Sequence, residues 1–298
     1  SIKEKENPTV VGLDPRIEYI PEFIMEEKYE KYGVSLKAVS EGMFEFNKFI
    51  IDEIYDLIPA IKPQIAMYER YGIEGMQAYL KTIEYAKEKG LIIIGDIKRS
   101  DIASTAEAYS DGHIGRVEIK DKSFDIFKQD FITLNPYLGS DSITPFLKDC
   151  KKYEKGLFIL AKTSNPNSAG IQDLIVDGVP LYEKIGHLID TWGSELIGKN
   201  GYSEVGAVVG ATHKEQAKRL REIMPKSFFL VPGYGAQGGK AEDLAVCFDK
   251  NGLGAIINSS RGIIANHLKE EFKGLGKDFA KASRQAVIEM KEDLRRCI

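Results

Sequence analysis

Leu91-Ile92-Ile93-Ile94-Gly95-Asp96-Ile97-Lys98-Arg99-Ser100-Asp101 runs from an apolar, β-branched segment straight into a cluster of opposed charges. A continuous β-branched run bounded by glycine reads as a strand of a parallel sheet covered on both faces. Such sheets carry their chemistry at the carboxyl ends of the strands. Asp96 and Lys98 are two residues apart, so a strand that persists to Lys98 sends both side chains to one face and Ile97 to the other. Asp101 falls on the next turn and completes an alternating carboxylate, ammonium, carboxylate array. A helix is expected at once, from Ile102-Ala103-Ser104-Thr105. An isolated Asp-x-Lys at a strand end is usually a solvated pair of charges. The apolar run before it and the alternation of sign favour a site instead. A lysine between two carboxylates stays protonated and fixed in direction, which suits a positioned proton donor.

Working outward, seven more short apolar runs end in polar or glycine-containing residues: 9–14, 60–66, 131–135, 156–162, 206–211, 227–232 and 255–259. With 91–98 they make eight, separated by segments long enough for helices. Strands alternating with helices imply βαβ units and a parallel sheet, and eight of them favour an α/β fold of the (β/α)₈ TIM-barrel type over an open, doubly wound sheet. Between the runs, 36–57 carries Val39, Met43, Phe46, Ile50, Ile54 and Leu57 at three- and four-residue spacing, the stripe of an amphipathic helix facing a core. Segments 75–89, 214–224 and 277–295 read the same way. The span 163–205 is too long for a simple loop and helix. It predicts a loop, a turn at Asp177-Gly178 and a helix through Leu196, and such insertions commonly serve as lids or binding loops.

A chain of 298 residues, 43% hydrophobic, can bury a large core as one domain over 1–298. A net charge of −4 offers no basic field for nucleic acid, so an anionic ligand needs a local site. The three cysteines and four histidines are scattered, which argues against a disulfide framework, a zinc ribbon and an HExxH-type metal site. The opening residues are polar and no apolar run approaches the ~18 residues of a membrane span, so the expectation is a cytoplasmic protein without a membrane partner.

Two further constellations follow the last strands. Pro232-Gly233-Tyr234-Gly235-Ala236-Gln237-Gly238-Gly239 combines glycines, which let backbone N–H groups approach an anion, with the amide of Gln237. Ser259-Ser260-Arg261-Gly262-Ile263 places Arg261 at a helix start, where guanidinium and helix terminus both favour phosphate. Each alone is ordinary. The loops after strands 7 and 8 are, however, the usual phosphate site of such barrels. Lys62, inside the apolar run 60–66, is costly unless it is paired, so it is expected to reach the carboxylates. Asp14, before Pro15, either initiates a turn or joins them.

Together these marks resemble the orotidine 5′-phosphate decarboxylase family, in its longer bacterial form that is similar to some protist forms. They are DIKRSDIAST at 96–105, KPQIA at 62–66, TSNPNSAG at 163–170, PGYGAQGG at 232–239 and SSRGI at 259–263. The resemblance implies a homodimer of (β/α)₈ barrels with shared sites, acting on a pyrimidine nucleotide without metal or cofactor. It implies Lys98 as proton donor to C6, Asp96 facing the substrate carboxylate, and Lys62 linking carboxylates and ribose. Asp101 and Thr105 would serve the neighbouring subunit's site. Asp14 would hold the ribose and Ser164 the pyrimidine. Pro232, Gly235, Gln237, Ser260 and Arg261 would form the phosphate side, with Ser260 where many relatives carry glycine. Two other readings are a metal-dependent sugar-phosphate decarboxylase or synthase of the same suprafamily, which resembles it in the DxKxxD array but has a metal-binding Glu where Lys62 stands, and a non-catalytic nucleotide-binding barrel.

Overall fold

Near-continuous burial of both faces explains why the strands of this chain are so legible. In the computed structural model, which describes residues 1–235 and 241–298, eight strands close into a barrel in their order along the chain. They are β1 (Thr9–Leu13), β2 (Ala60–Pro63), β3 (Ile92–Arg99), β4 (Phe131–Leu134), β5 (Gly156–Lys162), β6 (Ser203–Val209), β7 (Ser227–Pro232) and β8 (Ala255–Ser259). β1, β2 and β3 pair in parallel, as do β4 through β8, with Val11 beside Ile61 and Val231 beside Ile257. Every residue of β1, β2 and β8 is buried. The closed order is that of the TIM barrel, not of the open sheet.

Besides a helix over Glu22–Tyr32 and several single-turn ones, the helices that follow the strands include α1 (Leu36–Ile54), α2 (Gly72–Glu88), α3 (Ala103–His113), α4 (Thr144–Tyr153), α5 (Leu181–Gly193), α6 (Lys214–Ile223) and α7 (Lys281–Arg295). Ser35 caps α1 by accepting the N–H of Ala38 at 3.2 Å. The stripe of α1 faces inward as its spacing predicts: Met43, Phe46, Ile50 and Ile54 are fully buried. No helix among the described residues is long and apolar enough to cross a membrane.

Some boundaries differ from the sequence reading. β6 starts at Ser203 rather than at 206 and stops at Val209, with an irregular register against β7 between Ser203 and Ala207. The segment 163–205 contains a short helix, Ala169–Gln172, and a two-stranded hairpin, Ile175–Val176 with Val179–Pro180. Asp177 and Gly178 turn that hairpin with φ of 51° and 82°, the signature that Asp-Gly suits. α5 then ends at Gly193, short of Leu196. A second hairpin, Val117–Ile119 with Lys122–Phe124, has no counterpart in the sequence reading.

The chain divides into two compact units, Ser1–Ile97 with Ser259–Asp293, and Lys98–Asn258 with Leu294–Ile298. In the first, His267 and Phe279 pack edge-to-face and Phe279 stacks on Phe46. In the second, Arg221 ties the segments around β7 together, donating to the carbonyls of Met224, Ser227, Cys247 and Gly254 while lying 3.7 Å from the centre of the Phe229 ring.

Candidate active site

Each expected site residue among the described ones stands at, or just beyond, the carboxyl end of a barrel strand or at the start of the element after it. In the first unit the ends of three strands are laced together by backbone. Gln64 N–H donates to Leu13 at 3.2 Å, and Ile65 N–H donates to Asp96 at 3.4 Å. That lacing puts Lys62 of β2 against Asp96 of β3, Nζ to Oδ2 at 2.6 Å, with only 4% and 5% of the two residues exposed. Lys62 therefore reaches a carboxylate, as the cost of burying it demands. Burial pulls the Lys62 ammonium down, but the charges of Asp96 and Asp14 and the hydrogen bond to Asp96 outweigh it, so its pKa is raised. Lys62 is thus a fixed cation, and it holds the Asp96 side chain in one direction.

Asp14 follows β1 and is half-buried; its Oδ1 is buried and accepts no hydrogen bond from the described residues. An orphaned carboxylate oxygen at a strand end is a feature that a ligand hydroxyl would complete. Ser260 precedes, and the exposed Arg261 opens, a single helical turn, Arg261–Ile264. So short an element adds little dipole, and the guanidinium itself is what an anion would meet.

The second unit carries the rest. β3 does persist through Lys98, but Lys98 adopts φ of 46° and is exposed, whereas Asp96 is buried. The expected same-face alternation is therefore broken at Lys98, because a left-handed residue turns its side chain out of the pleat. The Lys98 N–H donates to Thr133 Oγ1 at 3.0 Å, a contact that steadies this unusual backbone and that the sequence reading missed. Left-handed non-glycine residues of this kind concentrate at functional sites. Asp101 lies outside α3: the helix starts at Ala103, and the Asp101 carboxylate accepts the N–H of Ile102 at 2.8 Å. It and Thr105 do not share a helical turn, since Ile102 is extended and Ala103 has φ of 47°. Thr105 sits exposed in the first turn of α3.

Ser164 follows β5 and rests on Gly210, where a β-carbon would come within 2.7 Å of the Ser164 nitrogen. Pro232 ends β7, and Gly235 follows with φ of 68°; Gln237 lies outside the described residues. Lys162, the last residue of β5, was not singled out, yet it is wholly buried and paired with Asp173 at 2.6 Å. The signal lies in the sequence: a lysine ending an apolar run carries the same burial cost as Lys62.

The arrangement offers a carboxylate held by one lysine, an exposed second lysine two residues further along the same strand, and an exposed guanidinium after β8. Residues 10–272 match the orotidine 5′-phosphate decarboxylase / HUMPS family. The chain is 43% identical to the orotidine 5′-phosphate decarboxylase of Caldicellulosiruptor saccharolyticus, across 100% of this chain and 96% of that protein. It is 46% identical to that of Petrotoga mobilis, across 98% and 94%. Its fold matches the solved Leishmania donovani OMP decarboxylase with a TM-score of 0.70 and 29% identity, covering 96% of each chain. With the match running from the first barrel strand past the last, and relatives this similar over their full length, the chain belongs to the orotidine 5′-phosphate decarboxylase / HUMPS family.

Proposed function

We propose that this chain decarboxylates orotidine 5′-phosphate to uridine 5′-phosphate and carbon dioxide, the last step in making that nucleotide, as one catalytic domain over residues 1–298 of a cytoplasmic homodimer. Its named relatives support the reaction. The observation that carries the reading at the level of residues is the buried Lys62–Asp96 pair with Lys98 two positions beyond Asp96. A metal-dependent relative needs a carboxylate where Lys62 stands; here an ammonium already neutralises Asp96, which argues against a divalent ion there.

Asp96, held by Lys62, faces the substrate carboxylate and cannot swing away from it. The repulsion is relieved as the C6–carboxylate bond breaks and its electron pair stays on C6. The Lys98 ammonium then meets developing negative charge. At ~4 Å and an effective dielectric near 20, that attraction is about 4 kcal/mol. Transfer of a proton from Lys98 Nζ to C6 completes the product. Asp14 takes a ribose hydroxyl on its orphaned oxygen, Ser164 meets the pyrimidine, and Asp101 and Thr105 reach the ribose and phosphate side of the partner subunit's site. Arg261 and Gln237, with Pro232, Gly235 and Ser260 around them, hold the phosphate. Phosphate binding far from C6 supplies energy for positioning.

The test is loss of orotate absorbance on adding orotidine 5′-phosphate to protein exhaustively treated with chelator. Turnover is expected to survive chelation and to vanish in Lys98→Ala, which still binds uridine 5′-phosphate. Activity lost on chelation and restored by magnesium favours the metal-dependent reading, and near-normal turnover in Lys98→Ala removes Lys98 from the chemical step.

A further inference from the structure

The segment after β5 is tied down more thoroughly than a surface loop requires. Lys162 is 0% exposed, its Nζ is 2.6 Å from Asp173 Oδ1, and it lies 5.8 Å from the centre of the Tyr182 ring. A lysine so placed holds its geometry only through that partner. Between the two, every polar atom of Thr163 is engaged. Its N–H donates to Gln172 Oε1 at 3.0 Å, and its hydroxyl accepts from Gln172 Nε2 at 2.8 Å and pairs with Asn165 Oδ1 at 2.6 Å. Its carbonyl meets His213 Nε2 at 3.2 Å. The next residue, Ser164, has its backbone pressed onto Gly210, whose own N–H donates to the Lys162 carbonyl at 2.7 Å.

Ser164 stands out by contrast, because its hydroxyl bonds to none of the described residues. We propose that the Lys162–Asp173 ion pair, together with Gln172 and His213, is a pedestal that fixes Ser164 against the pyrimidine ring and so sets selectivity for the base. These are positioning residues that act through Ser164. The inference rests on the reading of Ser164 as a pyrimidine contact. It extends that reading to side chains that touch no substrate, from Gln172 and Asp173 eight and nine residues along the chain to His213 after β6. A hydroxyl on a flexible loop would lose ordering entropy each time it bound; one on a pedestal is ordered beforehand.

The experiment compares the affinities of uridine 5′-phosphate and ribose 5-phosphate, which lacks the base, in Ser164→Ala, Lys162→Met, Gln172→Ala and the double variant Lys162→Met/Ser164→Ala. Lys162→Met keeps the length of the buried stem and leaves Asp173, 36% exposed at its side chain, able to meet water. Gln172→Ala loosens Thr163 without touching the buried charge, and serves if Lys162→Met fails to fold. The expected result is roughly a tenfold weaker affinity for uridine 5′-phosphate in each single variant, as for one lost hydrogen bond. Affinity for ribose 5-phosphate should stay within about twofold, and the double variant should be no worse than Ser164→Ala. Equal losses on both ligands, or effects that add in the double variant, overturn the pedestal. If Ser164→Ala itself leaves uridine 5′-phosphate affinity unchanged, the pyrimidine role of Ser164 fails and the pedestal with it. If Ser164→Ala weakens binding while Lys162→Met and Gln172→Ala do not, the pedestal alone fails.

Discussion

Arg261 is exposed, and its proposed role is confined to the phosphate, so its removal should be legible in a comparison of two substrates. A charge-assisted contact to phosphate contributes about 1.5–3 kcal/mol, and Arg261→Ala should therefore lower kcat/KM for orotidine 5′-phosphate roughly ten- to a hundredfold. Weak activity on the unphosphorylated nucleoside should barely change; equal losses on both would place Arg261 elsewhere. His113 makes a different kind of prediction. Burial drives its pKa down to about 4, against the hydrogen bond with Gln129 and aided by the charge of Arg99, and the ring stacks on Phe127. Because the folded value lies below the unfolded one, the neutral ring's contribution is full above about pH 6.5 and is lost as pH falls toward 4. The loss is of order 3 kcal/mol. Urea midpoints taken from pH 7 to pH 4 should show that slope in the parent and a flatter one in His113→Gln. Parallel slopes would mean that folding does not lower the pKa of His113.

At the scale of elements, legibility followed burial. All eight strands were readable, because a strand covered on both faces is written as an unbroken apolar run, and β5, β7 and β8 match their expected bounds to the residue. The Val117–Phe124 hairpin was not readable: of its two strands only Val117 is even partly buried, so no apolar pattern marks it. Of the site, Lys62 could be found because an apolar run makes a lysine conspicuous, and its partner was already in view. Lys162 stands in the same kind of run, but its partner Asp173 lies eleven residues on, across a turn and a short helix that no periodicity announces. The left-handed backbone at Lys98 and at Ala103 was invisible for another reason. Neither residue type favours φ above zero, so only tertiary contacts, such as that of the Lys98 N–H with Thr133, hold those conformations.

For the whole molecule, the proposed sharing of sites between subunits has a direct test. Lys98→Ala and Asp101→Ala homodimers should each be nearly inactive. In a mixed dimer one site inherits both defects, while the other combines an intact Lys98 with the partner's intact acid. Co-refolding differently tagged chains should then restore up to about one working site per mixed dimer; mixed dimers that form and stay dead would place Asp101 within its own subunit's site. The left-handed geometry of Lys98 also bears on how this enzyme is tuned. A non-glycine residue there costs about 1 kcal/mol that glycine avoids, so Lys98→Gly should melt a few degrees above Lys98→Ala although both are catalytically silent. Thermal robustness and turnover are then in competition at one backbone position, and a screen for heat tolerance alone would drift toward a sturdier barrel that no longer makes product.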